Sequence, residues 1–310
     1  HKFEFYSGDV DENLEKIKDS DGLVLFIDSE FGGEVLGNFS KLKFLATMST
    51  GYDHIDVAAC KKKGISVSNV PNYGENTVAE HAFGLILALS RKIPQAVWRT
   101  RKDNFSLEGL EGFDLRGKTL GVIGVGHIGE HVVRMAKGFE MEVIGLGRTR
   151  DPKLAKKLGF KYGTLKEILK KSDIITIHVP LNDATKGMIN MNNVGLIKRG
   201  AYLVNTARGE IVETKALVKA LDKGTLAGAA LDVLEGEEDV KEERQFLKSK
   251  ISRKEWKTFI RNHLLLKKRN VLITPHNAFN TREAMNRILD TTAENVKGFL
   301  GGKIVNGVSK

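Results

Sequence analysis

Short apolar runs rich in β-branched residues alternate along this chain with stretches whose apolar positions recur every three or four residues. Runs of the first kind predict strands at Lys2 to Tyr6, Gly22 to Ile27, Phe44 to Met48 and Ile65 to Val70, with helical pieces between them. A long apolar helix follows. The pattern then restarts, with strands expected at Thr119 to Gly124, Glu142 to Leu146, Ile174 to Val179, Ala201 to Thr206, Gly228 to Val233 and Val271 to Thr274. Strand and helix alternation of this kind builds parallel sheets, and six strands with crossovers predict a doubly wound one.

The break between the two series falls near Pro71-Asn-Tyr-Gly74, ahead of Thr77-Val-Ala-Glu80, which has the spacing of a capping box at a helix start. Ala82-Phe-Gly-Leu-Ile-Leu-Ala-Leu89 is apolar on every side, the signature of a helix buried between bodies. Thr281 to Leu300 reads as a terminal helix that returns to the first domain. The expected fold is α/β: two doubly wound, Rossmann-like domains with an interdomain cleft. One domain holds residues 1–73 and 281–310, the other residues 74–280.

Composition narrows the class. A chain of 310 residues, 41% hydrophobic, is long enough for two packed cores. The lone cysteine, Cys60, excludes an internal disulfide framework and fits a small buried side chain in a reducing cytosol. Phe83 to Leu89 is far shorter than the roughly 20 residues a bilayer span needs. The net charge of +10 is concentrated: residues 241–270 carry eleven Lys or Arg against three Glu. That segment reads as a solvated helical insert and not as a DNA-binding stripe, because no aromatic interleaving accompanies it. Histidine and acid spacings match no zinc site, so no metal is expected.

Candidate chemistry begins at Gly124-Val-Gly126-His127-Ile128-Gly129, which follows a predicted strand and opens a predicted helix. In that context glycines permit a tight turn and let backbone N–H groups approach a pyrophosphate at the helix N-terminus. The next strand ends in Gly147-Arg148-Thr149-Arg150, where an acid would be needed to accept hydrogen bonds from an adenosine ribose. Two guanidiniums and a hydroxyl suit a 2′-phosphate instead, so these residues favour NADP(H), with NAD(H) the alternative.

Three later strand ends deliver an arginine, a carboxylate and an imidazole: Asn205-Thr206-Ala207-Arg208-Gly209, Asp232 to Glu237, and Thr274-Pro-His276. Arg208 has small neighbours and suits a bidentate pair with a planar anion. A carboxylate beside an imidazole favours the charged ring, so Glu237 and His276 read as a proton-moving pair. His54 and His131 receive no role, and His81 reads as a helix-packing residue.

With these residues in hand, the chain from about Asp21 to Leu300 resembles the D-isomer-specific 2-hydroxyacid dehydrogenase family. The matches are Ser49-Thr-Gly-Tyr-Asp-His-Ile-Asp56, Val70-Pro-Asn-Tyr73, Val78-Ala-Glu-His81, the glycine loop, His178-Val-Pro-Leu181, Asn205 to Glu210, Ala230 to Val233 and Thr274-Pro-His276. The resemblance implies a catalytic Arg208, Glu237 and His276, and a substrate carboxylate bound by backbone N–H groups of Thr50 and Gly51. It implies that Asp232 contacts the nicotinamide amide, and that Val78, Val179, Pro180, Thr185, Thr206 and Ala207 line the rest of the cofactor site. It assigns residues 1–73 and 281–310 to a flavodoxin-like substrate-binding domain without its first strand and helix, and residues 74–280 to the dinucleotide domain.

A long segment between Glu237 and His276, the sequence His276-Asn-Ala-Phe-Asn-Thr281, and Tyr73, which meets substrate in such enzymes, resemble the D-lactate and D-2-hydroxyisocaproate branch. Gly147 to Arg150 is more similar to glyoxylate and hydroxypyruvate reductases, and Asn72 to Thr77 to phosphite dehydrogenase. No regulatory domain is expected after Lys310, which argues against the longer phosphoglycerate dehydrogenases. The resemblance implies a cytoplasmic homodimer joined through the helical segment after Gly74, with a small 2-oxo or 2-hydroxy acid as partner and neither nucleic acid nor membrane. A redox-sensing transcriptional corepressor is the alternative from another class, since a related branch keeps the same catalytic set.

Overall fold

The computed structural model describes residues 1–27, 29–237 and 252–308. The chain divides into two compact units, His1–Tyr73 with Asn280–Lys310, and Gly74–Phe279.

In the first unit, β1 (Gly22–Leu25), β2 (Phe44–Thr47) and β3 (Ser66–Ser68) form a parallel sheet in that order. The helices α1 (Val10–Ile17), α2 (Gly33–Gly37) and α3 (Val57–Lys62) bury Val10, Leu36 and Cys60 against Leu45 and Val67 of the sheet. Desolvation pushes the Cys60 thiol up to about 11, which makes it an inert core side chain. Lys2 to Tyr6, expected as a strand, pairs with no strand among the described residues. Phe3 and Phe5 alternate with charged residues as a half-buried strand would, yet they are 62% and 95% exposed. Without a ladder partner or a core face the alternation has nothing to stabilise.

The second unit opens with α4 (Glu75–Arg91). The helix starts two residues before the expected capping box: Gly74 is the N-cap, and Thr77 is an interior residue only 3% exposed. A buried Thr77 cannot cap, and Glu80 instead accepts from Asn76 at 3.1 Å. Nor is α4 buried all round, since Glu80 and Gly84 are exposed while Ala79, Ala82, Phe83 and Ile86 face the core. The following α5 (Ile93–Thr100) buries no side chain.

Then come β4 (Thr119–Ile123), α6 (His127–Gly138), β5 (Glu142–Leu146), α7 (Pro152–Leu158), β6 (Lys161–Tyr162), α8 (Leu165–Lys171), β7 (Ile174–Ile177), β8 (Ala201–Asn205), α9 (Thr214–Asp222), β9 (Leu226–Leu231), α10 (Arg253–Leu266) and β10 (Val271–Ile273). The seven strands are parallel in the order β10-β9-β8-β7-β4-β5-β6. The pattern predicted six of them, and the seventh, Lys161–Tyr162, is too short to show any period. Chain direction reverses across the sheet between β4 and β7, the place where an open α/β sheet leaves a crevice at its carboxyl edge.

The basic segment is described only from Ser252 onward; its earlier part, residues 241–251, lies outside the described residues. From Ser252 it forms α10, started by a complete capping box of Ser252 and Glu255. The last helix, α11 (Arg282–Leu300), belongs to the first unit: Phe299 stacks on Phe44 of β2 at 4.6 Å, and the buried Asn295 donates to the Asn69 carbonyl at 2.9 Å.

Candidate functional site

The glycine loop joins β4 to α6 at the reversal point of the seven-stranded sheet. Gly124 has φ +103°, and a Cβ there would come within 2.6 Å of the His178 carbonyl oxygen beyond β7. The two strand ends therefore touch, and only glycine allows it. Gly126 is the N-cap of α6 and has no capping side chain. The first N–H groups of that helix, at His127, Ile128 and Gly129, are thus directed at the crevice, where they can meet an anion. His127 is exposed, with Nδ1 3.6 Å from Glu75 Oε1.

Arg148, Thr149 and Arg150 are exposed just past the end of β5. Beyond β7, Val179 and Pro180 lead into a turn closed by Thr185, whose hydroxyl donates to the Pro180 carbonyl at 2.6 Å. His178 itself contacts Thr176 Oγ1 through Nε2 at 2.8 Å, and burial pushes its ring down to about 3, so it is neutral at any working pH. The Thr206 hydroxyl, at the end of β8, is buried and has no partner among the described residues. A buried, orphaned hydroxyl at the carboxyl edge of the sheet suits a polar cofactor such as a dinucleotide.

Arg208, Glu237 and His276 follow the carboxyl ends of β8, β9 and β10, which are neighbours in the sheet. The Asn205 side chain shapes the Arg208 turn: its Nδ2 donates to the Arg208 carbonyl at 2.9 Å and its Oδ1 accepts from the Ala207 N–H at 3.0 Å. The Arg208 guanidinium donates from Nη1 to the Ala207 carbonyl at 2.8 Å. A Cβ on Gly209 would lie 1.9 Å from the Leu234 carbonyl carbon, so this turn rests directly on the backbone that leads to Glu237.

His276 Nδ1 meets Glu237 Oε1 at 2.5 Å, with both side chains mostly buried. The histidine backbone is in the left-handed region, φ 51°, held by its N–H donating to the carbonyls of Asp232 and Thr274 at 2.9 and 3.0 Å. Asp232, whose side chain is fully buried, anchors the same turn. Its Oδ1 accepts from the Thr274 hydroxyl at 2.5 Å and the Asn277 N–H at 3.0 Å, and its Oδ2 from the Ala278 N–H at 2.9 Å. Burial would raise this carboxyl, but hydrogen bonds from His81, Thr274, Ala278 and Asn277 outweigh it and hold the group below the usual carboxylate range.

His81, read from sequence as a packing residue, proves to be part of this network. Its Nε2 lies 3.3 Å from Thr274 Oγ1 and 3.5 Å from Asp232 Oδ1. Because Thr274 gives its own proton to Asp232, its oxygen accepts when His81 carries hydrogen on Nε2. The bond spans 193 positions, which no local period reveals.

In the first unit, the loop after β2 carries Ser49, Thr50 and Gly51. Thr50 Oγ1 donates to the Val70 carbonyl at 2.7 Å, and Ser49 Oγ to the Gly51 carbonyl at 2.6 Å. The N–H groups of Thr50 and Gly51 have no partner among the described residues. The Tyr73 carbonyl accepts from Arg287 Nε at 2.7 Å.

Comparison with known proteins agrees with this chemistry. Residues 83–278 match the profile of the D-isomer specific 2-hydroxyacid dehydrogenase, NAD binding domain. A 2-hydroxyacid dehydrogenase homolog of Zymomonas mobilis is 39% identical, over 94% of this chain and 87% of its own. The glyoxylate reductase of Pyrococcus furiosus is 38% identical, over 94% and 82%. The crystal structure of the D-lactate dehydrogenase of Aquifex aeolicus, complexed with NAD and lactic acid, superposes with a TM-score of 0.89 at 36% identity, covering 100% of this chain and 94% of that one. With a nicotinamide-cofactor domain, the acid, imidazole and guanidinium on neighbouring strand ends, and relatives this similar along nearly the whole chain, the protein belongs to the D-isomer-specific 2-hydroxyacid dehydrogenase family and is an oxidoreductase of that family.

Proposed function

We propose that the protein reduces a small 2-oxo acid to the D-2-hydroxy acid, and catalyses the reverse oxidation, with NADP(H) preferred over NAD(H). The observation that carries this reading is the 2.5 Å contact of His276 with Glu237 at the carboxyl edge, next to the strand end that bears Arg208. The nicotinamide, when bound, supplies or accepts the hydride at C2. Arg208 pairs with the substrate carboxylate and polarises the C2 carbonyl. His276, with Nδ1 engaged by Glu237, gives the proton on Nε2 to the developing alkoxide and takes it back in oxidation. Glu237 fixes the orientation of the ring through its contact with Nδ1. The unpartnered N–H groups of Thr50 and Gly51 hold the carboxylate, and Tyr73 meets the side chain of the substrate.

Asp232 keeps the His276 turn in shape and contacts the nicotinamide amide, while Val78, Val179, Pro180, Thr185, Thr206 and Ala207 complete the cofactor site. Arg148 and Arg150 favour the 2′-phosphate, because no acid occupies the end of β5. The chain is proposed to act as a homodimer through the segment after Gly74. Ile93, Val97, Trp98, Phe105 and Leu107 are all exposed there, from 44% to 82%, more apolar surface than a monomer ordinarily leaves to water. No helix among the described residues is long and apolar enough to cross a membrane, and the buried Cys60 suits a reducing cytosol.

Oxidation of NADPH and NADH measured against pyruvate, glyoxylate, hydroxypyruvate and 2-oxoisocaproate tests the proposal. Turnover with at least one acid, faster with NADPH, is expected. Tight cofactor binding without turnover on any acid would overturn it in favour of a sensing role.

A further inference from the structure

A basic cavity lies on the dinucleotide unit, built by helices that carry none of the candidate catalytic or cofactor residues. Arg253, Lys254, Lys257 and Arg261 on α10 and Lys215 in the first turn of α9 line a cavity of about 400 Å³. Arg253, Lys257 and Arg261 follow one another at four-residue spacing, so their side chains share one face of the helix. None of the five cations forms an ion pair among the described residues. The two carboxylates that line the cavity, Glu213 and Glu235, are each engaged by the fold. Glu213 Oε2 accepts from the Met191 N–H and Glu235 Oε2 from the Thr214 N–H, both at 2.9 Å. Five cations against two carboxylates leave the lining of the cavity with an excess of positive charge.

From this geometry we infer that the cavity between α9 and α10 is a binding site for a small polyanion, a molecule bearing two or more phosphate or carboxylate groups. The volume falls in the range of small-molecule sites, roughly 300–1,000 Å³. Arginines offer bidentate pairing to either kind of group and lysines add point charge. Asn262 of α10, fully buried, donates to the Glu235 carbonyl at 2.8 Å, two residues from Glu237, so the helix that bears the cations is tied to the loop that bears the catalytic carboxylate. An occupant therefore has a direct mechanical route to that loop.

Calorimetric titration of the full chain, saturated with NADPH so that its dinucleotide loop is filled, tests the inference with inorganic pyrophosphate and, separately, with citrate at low salt. Binding of at least one of them at a single site is expected, weakened about tenfold or more in Lys257→Gln/Arg261→Gln and unchanged in a Lys41→Gln control from the other unit. The preferred probe distinguishes a phosphorylated from a polycarboxylate ligand. Thermal unfolding of both variants, run alongside, verifies that the loss is not one of folding. The inference is overturned if neither probe binds, if the double variant binds as tightly as the parent, or if only duplex DNA is bound.

Discussion

His276 offers Nδ1 to Glu237 Oε1 at 2.5 Å while its own backbone is held in the left-handed region by the carbonyls of Asp232 and Thr274. The ring therefore has one nitrogen committed to the protein and one left for a reacting oxygen. Reduction of a carbonyl needs a proton on that second nitrogen, and oxidation of an alcohol needs it vacant. Glu237→Gln replaces the carboxylate that meets Nδ1 and holds the ring in its orientation. Reduction should then lose about a hundredfold in kcat/KM, the lower end of the 10²–10⁴ typical of general acid catalysis. Steady-state kinetics in both directions measure this, and a parental kcat/KM would remove Glu237 from its role.

Gly209 makes a second, purely steric prediction. Its missing side chain is what lets the Arg208 turn rest on Leu234 and Glu235, where a Cβ would sit 1.9 Å from a backbone carbon. Backbone atoms cannot swing aside as a long side chain can. Gly209→Ala should cost about 1–3 kcal/mol through overpacking and should lower kcat by separating the turn of Arg208 from the loop of Glu237. Chemical denaturation together with steady-state kinetics would detect both effects, and a variant with parental stability and turnover would contradict the packing described.

Much of this arrangement was legible in the residues, for identifiable reasons. Parallel strands buried on both faces read as continuous apolar runs, so β4, β7, β8 and β9 stand out, and chemistry at their carboxyl ends can be located by counting past the last apolar residue. Lys2 to Tyr6 shows the limit of the same reasoning: Phe3 and Phe5 alternate correctly, but pairing is a tertiary property and no described strand lies beside them. The role of His81 is hidden from the sequence for a related cause. A histidine on a mostly apolar helix looks like packing until the sheet brings Thr274 and Asp232 to it. The start of α4 slipped because Thr77 and Glu80 imitate a capping box that the buried Thr77 cannot make.

Cofactor choice is best tested at the arginines. Gly147→Asp would supply the missing acid, but a Cβ there would lie 3.0 Å from the Thr149 carbonyl oxygen and 3.3 Å from the Tyr162 ring, so the loop would have to yield. Arg148→Ser/Arg150→Ser leaves the backbone alone, because both side chains are exposed. The NADP-to-NAD ratio of kcat/KM should drop about tenfold to a hundredfold, as expected when one or two charge-assisted hydrogen bonds of roughly 1.5–3 kcal/mol are removed. An unchanged ratio would mean that these side chains do not read the 2′-phosphate.

His178 predicts a feature of the acid limb of stability. Burial holds its ring at about 3 in the folded protein, against an ordinary value of 6.5. Below 6.5 the unfolded chain binds a proton that the native chain refuses, so stability falls with decreasing pH until the folded group itself titrates. The slope approaches about 1.4 kcal/mol per pH unit in that window. His178→Asn, which keeps a polar partner for Thr176, should lose less stability than the parent between pH 6.5 and pH 5. Urea unfolding at a series of pH values would reveal the difference, and parallel curves would show that the ring is charged in the native state.

Asp232 is where fold and chemistry are hardest to separate, and an isosteric change distinguishes them. The carboxylate accepts on both oxygens, from the Asn277 N–H on Oδ1 and from the Ala278 N–H on Oδ2. In Asp232→Asn, either orientation of the amide sets its NH₂ against one of those backbone donors. The Thr274 hydroxyl can rotate to accept, but a peptide N–H cannot. Leaving one buried donor unsatisfied costs about 1–3 kcal/mol, so the variant should unfold at lower denaturant concentration. Because this carboxyl is held below its ordinary value, its contribution to the parent is fully present above a pH near 3.8 and is lost as acid protonates it, and that loss should vanish in the variant. The turn from His276 to Ala278 would loosen at the same time. Turnover should therefore fall even at neutral pH, where the parent carboxyl is ionised, and most where reduction depends on a well-placed His276. A variant that loses stability but keeps the parental kcat would confine Asp232 to a structural role.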